Sequence, residues 1–91
     1  MIISVHLIIS GRVQGVWYRA STKQRAEQLG ITGWVKNTHD GHVEAVFEGE
    51  EEIVQNMIKW CWKGSPHAIV NDVKIISQKT NNIFENFSIK Y

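Results

Sequence analysis

The sequence predicts an α+β fold in which one antiparallel sheet is covered on one face by two helices. Apolar segments of strand length and two segments with helical spacing follow each other in the order β-α-β-β-α-β, with a short strand at the end. The length of 91 residues suits one domain with a small core, so we expect residues 1–91 to form a single domain. The apolar fraction of 43% is typical of a globular protein.

The first half of the chain is predicted to contain a strand, a helix and a hairpin. Alternation in the first strand, residues 2–9, places the apolar side chains at positions 3, 5, 7 and 9 on one face. The polar run Ala20–Leu29 predicts the first helix, which a glycine ends. The strands Thr32–Asn37 and His42–Glu48 are then joined by Thr38-His39-Asp40-Gly41, a strong hairpin signal.

The second half is predicted to contain a helix and two strands. The acidic residues 50–52 suit a helix N-terminus, where the dipole is positive, and Gly64-Ser65-Pro66 ends that helix. Val70–Ile76 and Phe84–Tyr91 have the pattern of strands, with a turn at Asn81-Asn82 between them. This order is that of the ferredoxin-like split β-α-β sandwich, a scaffold that serves many functions.

Charge and cysteine content argue against several classes of function. The net charge is +1, so we expect no nucleic-acid or membrane partner, and any anion site must be local. The single cysteine, Cys61, allows no intramolecular disulfide, and its apolar helical surroundings predict a buried structural thiol. The four histidines lack the spacing of metal ligands. No signal peptide or membrane span is recognisable, so we expect a cytoplasmic protein.

The loop between the first strand and the first helix is the strongest candidate for a functional site. A glycine-bearing loop that leads into a helix directs several backbone N–H groups at one point. Arg19, at the end of the loop, adds a fixed positive charge and a planar set of donors. This combination suits a tetrahedral anion such as phosphate. The alternative is a glycine-rich turn with a surface arginine, and the loop alone leaves both open.

Asn37 is the second candidate, because it ends the second strand beside the hairpin turn. If Val35 faces the core, alternation brings Asn37 out on the same face at the edge of the sheet. An asparagine before a turn usually caps the backbone. Beside an anion site, its amide can instead hold a water molecule or an oxyanion.

Two separated motifs resemble the signatures of the acylphosphatase family, and the resemblance covers nearly the whole chain. The first is Gly11-Arg12-Val13-Gln14-Gly15-Val16 followed by Tyr18-Arg19, and the second is Gly33-Trp34-Val35-Lys36-Asn37. The resemblance implies hydrolysis of acyl phosphates to a carboxylate and inorganic phosphate, without a metal or other cofactor. It implies that Arg19 binds substrate and that Asn37 positions water. The phosphate-binding loop would comprise Gln14, Gly15, Val16, Trp17, Tyr18 and Arg19.

The chemistry of the substrate is consistent with this set of residues. An acyl phosphate loses a carboxylate whose conjugate acid has a pKa of about 4, so the leaving group needs little protonation. Phosphoryl transfer then depends on positioning and on stabilisation of charge. We expect a small acyl phosphate as substrate, inorganic phosphate or sulfate as a competing anion, and a monomer. The alternative from another class is a non-catalytic anion-sensing or protein-binding module on the same fold.

Trp17 and Tyr18 depart from the family pattern. The family often has phenylalanine where Tyr18 stands, and frequently a small residue where Trp17 stands. Tyr18 conserves the shape of the side chain. The indole of Trp17 either lies across the mouth of the site or packs in the core, and the sequence leaves both open.

Overall fold

The computed structural model describes residues 1–80 and 82–91. The elements in chain order are β1 (Ile2–Arg12), α1 (Tyr18–Leu29), β2 (Thr32–Asn37), β3 (Val43–Glu50), α2 (Glu51–Lys63), β4 (Ile69–Thr80) and β5 (Phe87–Lys90). The strands form one sheet in the order β4-β1-β3-β2-β5. The predicted succession of elements is thereby confirmed. The predicted turn at Asn81-Asn82 lies partly outside the described residues, because Asn81 is not among them.

The core lies between one face of this sheet and the two helices. The predicted face of β1, with Ile3, Val5, Leu7 and Ile9, is almost fully buried. Helix α2 contributes a continuous apolar stripe to the core, whereas α1 buries only Tyr18, Thr22 and Ala26. The buried thiol of Cys61 confirms its predicted structural place, and burial raises its pKa to about 12. No helix in the described part of the chain has the length and apolar character needed to cross a membrane.

The sheet is mixed, because its last strand runs parallel to its neighbour. The pairs of β1 with β3 and β4, and of β2 with β3, are antiparallel as expected, but β5 pairs with β2 in parallel. Strands β4 and β5 are the two edges of the sheet, so the chain crosses from one edge to the other between them. The buried carboxylate of Glu48 holds this crossing: its Oε1 accepts the N–H groups of Ile83 (2.7 Å) and Phe84 (3.0 Å).

Element ends differ from the prediction where tertiary contacts decide them. Strand β5 begins at Phe87, three residues after the predicted start, since the backbone at Phe84 donates to Glu48. Strand β1 continues to Arg12 because β4 pairs with its end. At Gly11 (φ +125°) the backbone oxygen of Ile69 leaves no room for a Cβ atom, which explains the first glycine of the loop motif.

Candidate active site

A cavity of about 380 Å³ lies where the loop after β1 faces the end of β2. Its walls come from the loop and the first turn of α1, from the end of β2, and from the C-terminal residues. The lining residues are Val13, Gly15, Trp17, Tyr18, Arg19, Ala20, Asn37, Ile89 and Tyr91. The fold therefore brings Arg19 and Asn37, which the sequence placed on different elements, to one cavity. Gln14 and Val16 of the predicted loop are not among its lining residues.

The backbone of the loop has a conformation suited to anion binding. Gly15 (φ 74°) and Trp17 (φ 64°) are left-handed, and the right-handed helix α1 begins directly after Trp17. Neighbouring left- and right-handed residues turn successive N–H groups toward one side and form an anion-binding concavity. The first N–H groups of a helix also have no acceptor within the helix, and they carry its positive dipole end. Donors and positive potential thus coincide at the cavity.

Three side-chain hydrogen bonds hold the loop in this shape. The side-chain amide of Gln14 donates to the carbonyl oxygens of Thr38 and His42, both at 2.8 Å, and so joins the loop to the β2–β3 turn. The hydroxyl of Ser65 donates to the carbonyl oxygen of Val16 at 2.7 Å. Gln14 and Val16 therefore connect the loop to the rest of the fold and do not line the cavity. The sequence marks Ser65 as part of the stop after α2 and of the family resemblance, but no pattern in it indicates a contact with the loop.

Tyr18 fixes the start of α1 against α2. Its ring is buried, its hydroxyl donates to the carbonyl oxygen of Cys61 at 2.6 Å, and its ring centroid lies 5.7 Å from that of Trp60. Burial raises the pKa of the Tyr18 phenol far above its ordinary value, so the phenol stays neutral. These contacts start the helix at Tyr18, two residues before the start that the sequence predicted. The helix end that faces the cavity is thereby fastened to α2.

Arg19 brings an uncompensated positive charge to the cavity. Its guanidinium carbon lies 5.1 Å from the ring centroid of Tyr91, a cation–π contact that orients the planar group. Within the described residues, Arg19 forms no ion pair, and no aspartate or glutamate side chain lines the cavity. The guanidinium is therefore free to pair with an anionic ligand.

Asn37 presents an unsatisfied acceptor at the cavity. Its Oδ1 is buried and has no hydrogen-bond partner in the described part of the chain. The turn is capped by its neighbour instead: the Thr38 hydroxyl accepts the N–H of His42 at 3.0 Å. The role that usually explains an asparagine before a turn is thus filled by Thr38. A buried acceptor without a partner costs roughly 1–3 kcal/mol, which a bound water would offset.

Trp17 stands at the mouth of the cavity. Its side chain is 78% exposed, so the indole does not pack in the core. It lines the cavity together with Ile89 and Tyr91, and the three give the mouth an apolar rim. Elsewhere, the described residues contain no group of three or more His, Cys, Asp or Glu side chains arranged to hold a metal ion.

Fold and site together define an α+β domain in which a glycine-bearing loop, an unpaired arginine and an unpartnered amide oxygen line one cavity. A family model described as acylphosphatase matches residues 5–89. Among similar proteins, an acylphosphatase of Pelotomaculum thermopropionicum is 44% identical over 86 residues, covering 94% of each chain. An acylphosphatase of Trichormus variabilis is 48% identical over 89 residues, covering 98% of this chain and 87% of that protein.

A solved structure of an acylphosphatase has the same fold as this chain. The crystal structure of acylphosphatase from Bacillus subtilis superposes with a TM-score of 0.93 at 34% sequence identity, over 98% of this chain and 99% of that one. The chain belongs to the acylphosphatase family.

Proposed function

We propose that the chain hydrolyses the carboxyl–phosphate bond of acyl phosphates, with the phosphoryl group in the loop and the attacking water on Asn37. The observation that carries the proposal is the shared cavity: an unpaired guanidinium, a helix N-terminus and an unpaired amide oxygen all meet there. Family membership supports the same substrate class.

In the proposed complex, the phosphoryl oxygens accept hydrogen bonds from the loop N–H groups and from Arg19. The guanidinium matches two oxygens of one phosphoryl group, because its donors are planar and fixed in a fork. These contacts are stronger in the transition state than in the bound substrate, because the three oxygens then spread around phosphorus and present their charge to donors already in place. The contacts that bind the substrate thereby also lower the barrier.

The attacking water is held by Asn37. Its Oδ1 accepts a hydrogen bond from the water and directs the water oxygen at phosphorus, opposite the departing carboxylate. A new oxygen–phosphorus bond forms as the bond to the carboxylate oxygen breaks, and the bonding electrons leave on the carboxylate. No Asp, Glu or His side chain lines the cavity among the described residues, so in the proposed mechanism a phosphoryl oxygen of the substrate takes the water proton. This mechanism requires neither a metal nor a covalent intermediate.

The acyl group has its place at the mouth. Trp17, Ile89 and Tyr91 form the apolar rim there, whereas the phosphoryl group needs the polar interior. The proposal extends to one catalytic domain over residues 1–91, active as a cytoplasmic monomer, with inorganic phosphate or sulfate as competing anion. Both anions resemble the phosphoryl group that the loop would bind.

One assay tests this proposal directly. Phosphate release is measured from acetyl phosphate and, in parallel, from a phosphate monoester, each with and without EDTA. We expect rapid release from acetyl phosphate only, unchanged by the chelator. Binding of phosphate without turnover of acetyl phosphate would instead establish the anion-sensing alternative.

A further inference from the structure

A second cavity, of about 490 Å³, lies between α1 and the C-terminal end of α2. It shares no lining residue with the cavity of the candidate active site. Arg25 of α1 and Lys63 of α2 line it, and within the described residues no aspartate or glutamate does. We call this cavity the interhelical groove. Its charge is positive although the whole chain is nearly neutral.

The cations of the interhelical groove are not neutralised by the protein. Neither Arg25 nor Lys63 forms an ion pair with another described residue. The Nε atom of Arg25 is buried without a hydrogen-bond partner in the described chain, and Nη1 makes only a long contact of 3.4 Å with Gln28. A buried donor of a charged group is costly to leave unpaired. The groove is therefore lined by charged donors for which the described part of the protein supplies almost no acceptor.

The rest of the groove has the character of a ligand site. Gln24 and Gln28, which are four residues apart and so lie on the same side of α1, add amide donors. Trp60 and Pro66 form an apolar wall. Two unpaired cations match a dianion better than a single carboxylate, and the indole suits a flat apolar group. We propose that the interhelical groove binds a small organic phosphate monoester with a flat apolar substituent.

The groove is connected to the phosphate loop by two of its own lining residues. Trp60 lies against the ring of Tyr18, with 5.7 Å between centroids, and the hydroxyl of Ser65 holds the carbonyl oxygen of Val16 at 2.7 Å. A ligand that contacts Trp60 and Ser65 would therefore act on the side chains that hold Tyr18 and Val16 in place. The proposal therefore includes coupling: a phosphate monoester in the groove changes turnover at the active site. The proposal that the groove binds a phosphate monoester does not depend on the proposed function. The proposal of coupling rests on it.

Binding is tested with phenyl phosphate in an Arg19→Ala background, which removes the main charged contact of the active site. Titration calorimetry should show one site, and NMR shifts should concentrate on the indole of Trp60 and the amides of Gln24 and Gln28. Adding Arg25→Gln and Lys63→Gln should weaken binding on the order of tenfold or more. The control, Lys59→Gln with Lys74→Gln, removes the same charge from exposed positions and should leave the affinity unchanged.

The coupling is tested by inhibition kinetics with the protein that retains Arg19. Phenyl phosphate should inhibit hydrolysis of acetyl phosphate with mixed kinetics, and with purely competitive kinetics once Arg25 and Lys63 are glutamine. Competitive inhibition in both proteins would overturn the coupling. Absence of binding to the Arg19→Ala chain, or equal binding with and without the two groove cations, would overturn the site itself, whatever the outcome of the hydrolysis assay. NMR spectra of the groove variant establish that it is folded.

Discussion

The hydroxyl of Ser65 donates a 2.7 Å hydrogen bond to the carbonyl oxygen of Val16, and so ties the phosphate loop to the chain segment after α2. Both groups are buried. We predict that Ser65→Ala lowers the free energy of unfolding by roughly 1–3 kcal/mol, because it leaves the buried carbonyl unpaired. It should also weaken inorganic phosphate binding, since the loop loses a support. Denaturant unfolding and phosphate titration measure the two effects. Ser77→Ala, on the opposite side of the sheet, should change neither by a comparable amount.

Arg19 is predicted to be indispensable for turnover. Arg19→Ala should nearly abolish hydrolysis of acetyl phosphate, and Arg19→Lys should restore only a small part, because an ammonium lacks the planar fork of donors. Arg12→Ala is the matched control: it removes an arginine of the same motif from an exposed position and should retain activity. Steady-state kinetics of the three variants measure these effects on turnover. Near-normal turnover in folded Arg19→Ala would contradict the assignment.

Asn37 and Thr38 are predicted to separate catalysis from stability. Asn37→Ala should lower kcat on the order of 10²-fold or more, while inhibition by phosphate changes little, because the amide holds water and not the phosphoryl group. Thr38→Ala should lower the melting temperature and keep most activity, since its hydroxyl caps the turn. A variant Asn37→Ala that melts early but turns over normally would reassign Asn37 to the turn.

Inorganic phosphate is predicted to compete with substrate and to stabilise the fold. A ligand bound only by the folded chain adds about 2.7 kcal/mol at a hundredfold excess over Kd. Thermal unfolding with increasing phosphate should therefore show a rising Tm, and the rise should become much smaller in Arg19→Ala. EDTA should alter neither activity nor this shift. Activity lost to the chelator and restored by a divalent metal would disprove the metal-free mechanism.

Trp17 is predicted to select among acyl groups. Its exposed indole at the mouth lies where the acyl group would pass, and its backbone contribution to the loop does not depend on the side chain. Trp17→Phe should therefore alter relative kcat/KM for different acyl phosphates more than it alters phosphate affinity. Phosphate should also change the intrinsic fluorescence, and the substitution should remove most of that change. An unaltered fluorescence response together with an unaltered acyl preference would leave Trp17 without this role.

Local patterns in the sequence were sufficient for the order of elements, and they marked Arg19 and Asn37 as candidates for a site. Alternation places Ile3, Val5, Leu7 and Ile9 on one face because side chains of a strand point to opposite sides in turn, and these residues are buried. The glycine-bearing loop and the hairpin signal likewise act through local backbone preferences. They placed Arg19 and Asn37 beside chain reversals, and the structure puts both in one cavity.

Only the tertiary structure decided how that cavity is held. The hydrogen bonds from Gln14 to the hairpin, from Ser65 to Val16 and from the Ile83 and Phe84 backbone to Glu48 join residues far apart in the chain. Such contacts produce no periodic pattern in a single sequence. A serine, glutamine or glutamate that is buried in the fold cannot be told, from its neighbours in the sequence, from one that lies on the surface. The left-handed backbone of Trp17 was hidden for the same reason: a bulky residue avoids that conformation unless its surroundings impose it.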